Sequence, residues 1–241
     1  MTFHKNAMKK KIKFPTELAY VAGIILVMTG MAFFVLADLG VTAPTSPAYV
    51  LYLKLEPYLT WLTYGQALYL YEAILLVILC LIVRRFRISY IFSFITAFIG
   101  GNILDLVSVP ILKLPADTIA LRLVYLAVGL AICTLGITFM FHTYISQEVF
   151  DLLVKEIARK FHKEDFSIKR IYDISSTVLG LVLMTAFFGI WPLRGIGLGT
   201  IICALFNGTI IGLHTRWLER IFVFEDALPL RKYFLDPEDE L

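Results

Sequence analysis

The chain has 241 residues, 59% of them hydrophobic and only 17% charged. A water-soluble domain is roughly a quarter charged, so this apolar excess exceeds what one buried core absorbs, and lipid must be the solvent over most of the chain. The formal net charge of +3 is small; it gives no reason to expect a nucleic-acid partner, and the placement of the basic residues matters more than their sum.

The chain opens on a basic tail, residues 1–16, with Lys5, Lys9, Lys10, Lys11 and Lys13. The first apolar run, Leu18 to Ala37, exceeds the about 7–15 apolar residues of a cleaved signal. With further runs of the same kind behind it, it reads as an uncleaved first span. About 20 helical residues cross some 30 Å of hydrocarbon. Six segments qualify, near 17–38, 62–83, 88–111, 120–143, 170–191 and 195–216. After the first span, Gly40, Pro44 and Pro47 end the helix. The apolar stretch Ala48 to Leu55 that follows is too short to span, which predicts a half-helix. After the fourth span, Ser146 is placed to cap a helix from Val149 to Phe161. There Phe150, Leu153, Val154 and Ile157 share one face, with Lys155, Arg159 and Lys160 mainly opposite, the pattern of an amphipathic interfacial helix. The end, from Phe224 through Asp236, Glu238, Asp239 and Glu240, reads as frayed and solvated. The predicted organisation is a basic cytoplasmic tail (1–16), a first membrane repeat (17–111), a second (120–216) and a cytoplasmic C-terminal tail (217–241).

Of the 22 basic residues, only Lys54, Lys113, Arg122 and Arg194 fall in alternate connections. The others gather in the tails, at Arg84, Arg85 and Arg87, and between Lys155 and Arg170. The positive-inside rule then places both termini in the cytoplasm, with six spans across a bacterial inner membrane; five spans would strand one basic group outside. The cysteines, Cys80, Cys133 and Cys203, each sit in an apolar run and read as packing residues.

A shift of 106 residues lays Gly23, Gly30 and Phe33 of the first span on Gly129, Gly136 and Phe139 of the fourth. One further residue of offset lays Ser93, Ala97, Gly101 and Ile103 on Thr200, Ala204, Gly208 and Ile210. Each half thus reads as span, half-helix, span, span. Three spans return the chain to the opposite side, so the predicted fold is an all-α membrane protein of two inverted three-helix repeats, an arrangement common among secondary transporters. The small-residue stripes Ser93, Ala97, Gly101 and Thr200, Ala204, Gly208 predict close backbone packing, with the third and sixth spans meeting at the axis.

Polar residues inside the spans supply the candidate site. Glu72 lies about ten residues into the second span, ~15 Å from either surface, where a carboxylate costs at least ~2.5–3.5 kcal/mol. It must be protonated, paired or facing water. Asn102 and Asn207 stand beside the small-residue stripes, Asp105 lies nearer the outer end, and His142 closes the fourth span. These five form the candidate substrate- or ion-binding set; Asp38 and Arg122 read as solvated helix ends. No phosphate-loop, dinucleotide, zinc-protease or nucleophile-elbow signature occurs, so neither an enzyme, a cofactor nor a metal centre is expected.

Leu39-Gly40 then Pro44 after a glycine-bearing span, Thr63-x-Gly65 opening the second, and the stretch from Arg87 to Asp105 resemble the bacterial YczE/YyaS/YitT family of integral membrane proteins. The resemblance implies an architecture and no substrate. It differs after the first Leu-Gly, where Pro44-Thr45-Ser46 stands in place of a Pro-Trp-Asp, and Glu148 or Asp151 holds the related place in the second half.

The expected function is a small secondary transporter of an organic solute or ion. The alternatives are a membrane-embedded accessory or regulatory protein, and the six-helix substrate-capture component of an energy-coupled vitamin importer. Partnership with a second copy or another membrane protein is open from sequence.

Overall fold

The computed structural model describes residues 11–189, 195–229 and 231. Lys5, Lys9, Lys10, Arg194 and the acidic end from Asp236 lie outside the described residues. Six helices are long and apolar enough to cross a membrane. They are α1 (Thr16–Ala37), α3 (Tyr64–Val83), α4 (Ile88–Ile111), α5 (Ile119–Phe141), α7 (Asp165–Phe188) and α8 (Leu198–Ile221). Two shorter helices, α2 (Ser46–Leu55) and α6 (Val149–Phe161), follow the first member of each half, as the repeat requires. The chain is a multi-pass membrane protein.

The repeat is visible in what packs on what. Exchanging α1 with α5, α2 with α6, α3 with α7 and α4 with α8 turns most helix contacts into one another. The α2–α7 contact becomes α6–α3, α2–α3 becomes α6–α7, and α1–α4 becomes α5–α8. The α1–α5 interface, the most extensive in the molecule, becomes itself. It therefore lies on the axis. Gly23 meets Gly136 there and Gly30 meets Gly129, so the helices cross antiparallel, as an inverted pair must. A Cβ on Gly30 would stand 2.7 Å from the Gly129 carbonyl oxygen and 2.6 Å from Cys133 Cβ, and one on Gly136 2.6 Å from Val27 N. Only glycine allows this approach, which in lipid supplies the dispersion contacts that hold helices together.

The axis corrects the sequence expectation. Neither α4 nor α8 packs extensively on the other: α4 lies on α1 and α3, α8 on α5. Ser93, Ala97 and Gly101 are buried, with Gly101 against the Gly65 backbone and Tyr69 of α3. Thr200 is buried and donates to Val41 O at 2.7 Å, while Ala204 and Gly208 are exposed and a Cβ on Gly208 would meet nothing within 4 Å. In the first half the stripe packs, and the partner of Gly101 is the adjacent helix α3. Two contacts break the exchange: α3 packs closely on α4 and α6 touches α4, whereas neither α7 nor α2 packs extensively on α8.

Two further differences appear. The chain after α8 is not frayed from Phe224. Strand β2 (Phe222–Glu225) pairs in parallel with β1 (Ile12–Pro15), and Glu17 accepts from Leu228 N (2.8 Å), Ala227 N (3.1 Å) and Tyr144 OH (2.7 Å). Phe14, Phe139 and Phe224 cluster beneath this clasp; paired edges and shared aromatics join residues 12–15 to residues 222–225 where composition alone suggested solvent. Helix α6 is not laid along an interface. It inserts among α3, α4 and α7, with Glu148 and not Ser146 at its N-cap. Its buried Glu156 accepts from Tyr90 OH (2.9 Å), Arg159 (3.2 Å) and Arg87 (3.4 Å). Asp38 and Arg122, read as solvated, pair at 3.1 Å across the ends of α1 and α5, both still partly exposed.

Candidate functional site

Glu72 sits near the middle of α3 and is fully buried. Its position follows from the repeat: α6 enters the protein and stops with its N-terminus against α3. Glu72 Oε2 accepts from Val149 N, the first residue of α6, at 3.0 Å. A helix N-terminus carries unpaired N–H groups and about half a positive charge, so it favours a carboxylate. Glu72 Oε1 has no partner among the described residues.

Glu148, one residue before, brings a second carboxyl to the same place. Its Oε1 is sealed from solvent and likewise unpartnered among the described residues, 3.5 Å from where a Cβ on Gly100 would stand. Burial first, then the nearby Asp151 charge, pushes its pKa up to about 7, with Lys169 opposing. The two carboxyls act on one another electrostatically. Lys169 of α7 donates to Asp151 Oδ1 at 2.9 Å, and Asp173, one turn on, adds a third buried oxygen without a partner among the described residues. Tyr71, Phe150 and Tyr172 lie beside them as tilted ring pairs, with centroids 6.5 and 6.3 Å apart. The site is thus an acid-rich junction of α3, α6 and α7, with more acceptors than donors.

Of the five candidate residues, only Glu72 stands in this junction. Asp105 caps α3 instead: its Oδ2 accepts from Thr63 Oγ1 at 2.5 Å and its Oδ1 from Gly65 N at 2.8 Å. Thr63 and Gln66 complete a capping box there, with Gln66 N donating to Thr63 Oγ1 at 3.2 Å and Thr63 N to Gln66 Oε1 at 3.1 Å, which gives the Thr63-x-Gly65 block a structural role. Asn102 is exposed and donates to Phe98 O of its own helix at 2.7 Å. Asn207 lies on α8, its Oδ1 buried and without a partner among the described residues. His142 ends α5, donating from Nδ1 to Thr138 O at 2.8 Å, stacked on Phe224 at 4.3 Å and 3.6 Å from Glu219; it belongs to the terminal clasp. Glu148 and Lys169 were not in the set. Glu148 precedes an amphipathic run, and that pattern does not separate a helix lying on the membrane from one wedged between spans. Lys169 was counted with a cytoplasmic basic group, and nothing in its neighbours distinguishes it.

Over residues 14–216 the chain matches DUF6198, a family of unknown function, and it belongs to that family. No curated protein and no solved structure matches it.

Proposed function

We propose that this DUF6198 protein is a small secondary transporter, an alternating-access carrier and not an enzyme, that moves a small organic solute or ion across a bacterial cytoplasmic membrane with both termini inside. The observation that carries this reading is the broken exchange of contacts. Two halves of one architecture are held in different conformations, α3 packed on α4 and α7 apart from α8. Inverted repeats that differ in this way reach the opposite-facing state by trading conformations, with the site near the midplane. Glu72, near the middle of its helix and at the junction of both halves, is the residue such a carrier needs. The placement of basic residues supports the orientation, and the motifs shared with the YczE/YyaS/YitT proteins support the architecture alone. The inverted pairing weighs against the vitamin-capture component.

The test is charge movement or counterflow in proteoliposomes on a solid-supported membrane, challenged with amines, carboxylates, amino acids, sugars and inorganic ions. The expected result is a solute-evoked signal from the wild type that Glu72→Gln abolishes. Silence across the whole panel, from protein that elutes as a single folded species, contradicts transport.

A further inference from the structure

We propose, resting on the carrier reading above, that Glu72 and Glu148 jointly hold one exchangeable proton, which makes the proton the ion that couples transport. The two carboxyls come from different helices and meet at one helix N-terminus, Glu72 through its 3.0 Å bond from Val149 N and Glu148 as the residue just before. With both ionised, Glu72 Oε1 and Glu148 Oε1 are two sealed acceptors with nothing to accept from among the described residues. That is the most expensive state a buried polar pair can occupy. One proton taken from water onto either carboxylate creates an O–H donor and removes one of two like charges. The remaining carboxylate keeps the stabilisation of the α6 N-terminus. A bound metal ion is the poorer fit, since no three His, Cys, Asp or Glu side chains among the described residues gather to hold one.

The groups facing the pair leave it acidic. From α1 comes Tyr20, from α3 Tyr64, and from α5 Cys133, each within electrostatic reach of Glu148; phenols and a thiol stay neutral at physiological pH. Helix α4 contributes the backbone of Gly100. The charged neighbours are Asp151 on α6 and Lys169 and Asp173 on α7. Lys169 is bonded to Asp151, so it offsets that charge before it reaches the pair. Side chains of Lys169 and Asp151 are 38% and 32% exposed, so the α7 side is the less enclosed flank of the pair.

Protonation is read directly by the carboxylic-acid C=O stretch in infrared difference spectra of the full chain in lipid nanodiscs as pH is varied. The expected result is an acid band that survives above the range of exposed carboxyls and disappears as pH rises through about 7. Glu72→Gln and Glu148→Gln should each remove it, and Asp173→Asn should leave it. Absence of the band from the wild type overturns the proposal without reference to any variant. A band that both Gln variants retain overturns it too, because the proton then sits elsewhere. Should the band behave as expected while no solute evokes a signal in proteoliposomes, the carrier reading fails and the proton site stands.

Discussion

The N-termini of the two half-helices occupy equivalent places and are finished in opposite ways. At α2, Thr42 and Thr45 share a 2.9 Å hydroxyl bond, Ser46 Oγ donates to Ala43 O at 2.9 Å, and the facing residues are Ser176 and Gly180 of α7. These groups are neutral and locally bonded. At α6, the facing residue is Glu72, Glu148 is the cap, and both retain an oxygen without a partner among the described residues. The repeat therefore supplies a frame, and chemistry is installed on one side of it. A buried polar group left unsatisfied is a cost that stability alone would not retain, and under the proposed reading the α6 end is the working one.

The frame itself is the most sensitive target. Gly30→Leu drives a side chain into Cys133 and the Gly129 backbone, and a loss of ~3 kcal/mol or more, or failure to fold, is expected in detergent unfolding followed by fluorescence. Gly208→Leu, with nothing within 4 Å, should stay within ~0.5 kcal/mol. Equal losses at the two positions would contradict the α1–α5 axis. Next comes the comparison of the two ends. Glu72→Ala strands the Val149 N–H and should cost ~1–3 kcal/mol, and Ser176→Ala on the α2 side should cost less than half as much. A larger loss at Ser176 would reverse the assignment of the working end.

The pH dependence sharpens the same contrast. Glu148 binds its proton more tightly folded than unfolded, so its contribution to stability is complete below the unfolded value near 4.5 and is lost as pH rises through about 7. Stability should fall between pH 5 and about 7, by at most ~1.4 kcal/mol per pH unit for one proton, read as a falling melting temperature, and Glu148→Gln should flatten the curve. A rise with pH would contradict the site. Orientation needs the gentlest probe. In a cysteine-free background, single cysteines at the exposed Tyr58 and Asp117 should react with an impermeant maleimide in intact cells, and one at Lys163 should not; labelling at Lys163 would invert or break the topology.

The legible parts of the molecule are those governed by repetition. Span number, the two half-helices and the glycine matches follow from composition and period, because membrane helices need ~20 apolar residues and close crossings need small ones. The same glycines named the axis: Gly23, Gly30, Gly129 and Gly136 matched most simply, yet the longer stripes of α4 and α8 were given its place. A stripe declares a close neighbour without saying which one, and Gly101 found Gly65 on the adjacent helix. In the site, Glu72 was legible because its cost is intrinsic to depth. Glu148 and Lys169 were not, because their burial depends on α6 turning inward, and an amphipathic pattern does not separate a helix lying on the membrane from one wedged between spans. Asp105 shows the converse error, a polar residue near a span end that serves as a cap.

Alternating access by exchange of conformations is tested most directly by two spin-label pairs in lipid nanodiscs, at exposed positions Ile74 and Ile95 on α3 and α4, and Val178 and Leu205 on α7 and α8. Distances measured by double electron–electron resonance should fall into two populations for each pair. Where α3–α4 is short α7–α8 is long, and conditions that shift one pair must shift the other in the opposite sense. One fixed distance in each pair, unchanged by pH or by any solute tested, would show a rigid, permanently asymmetric protein and contradict the account.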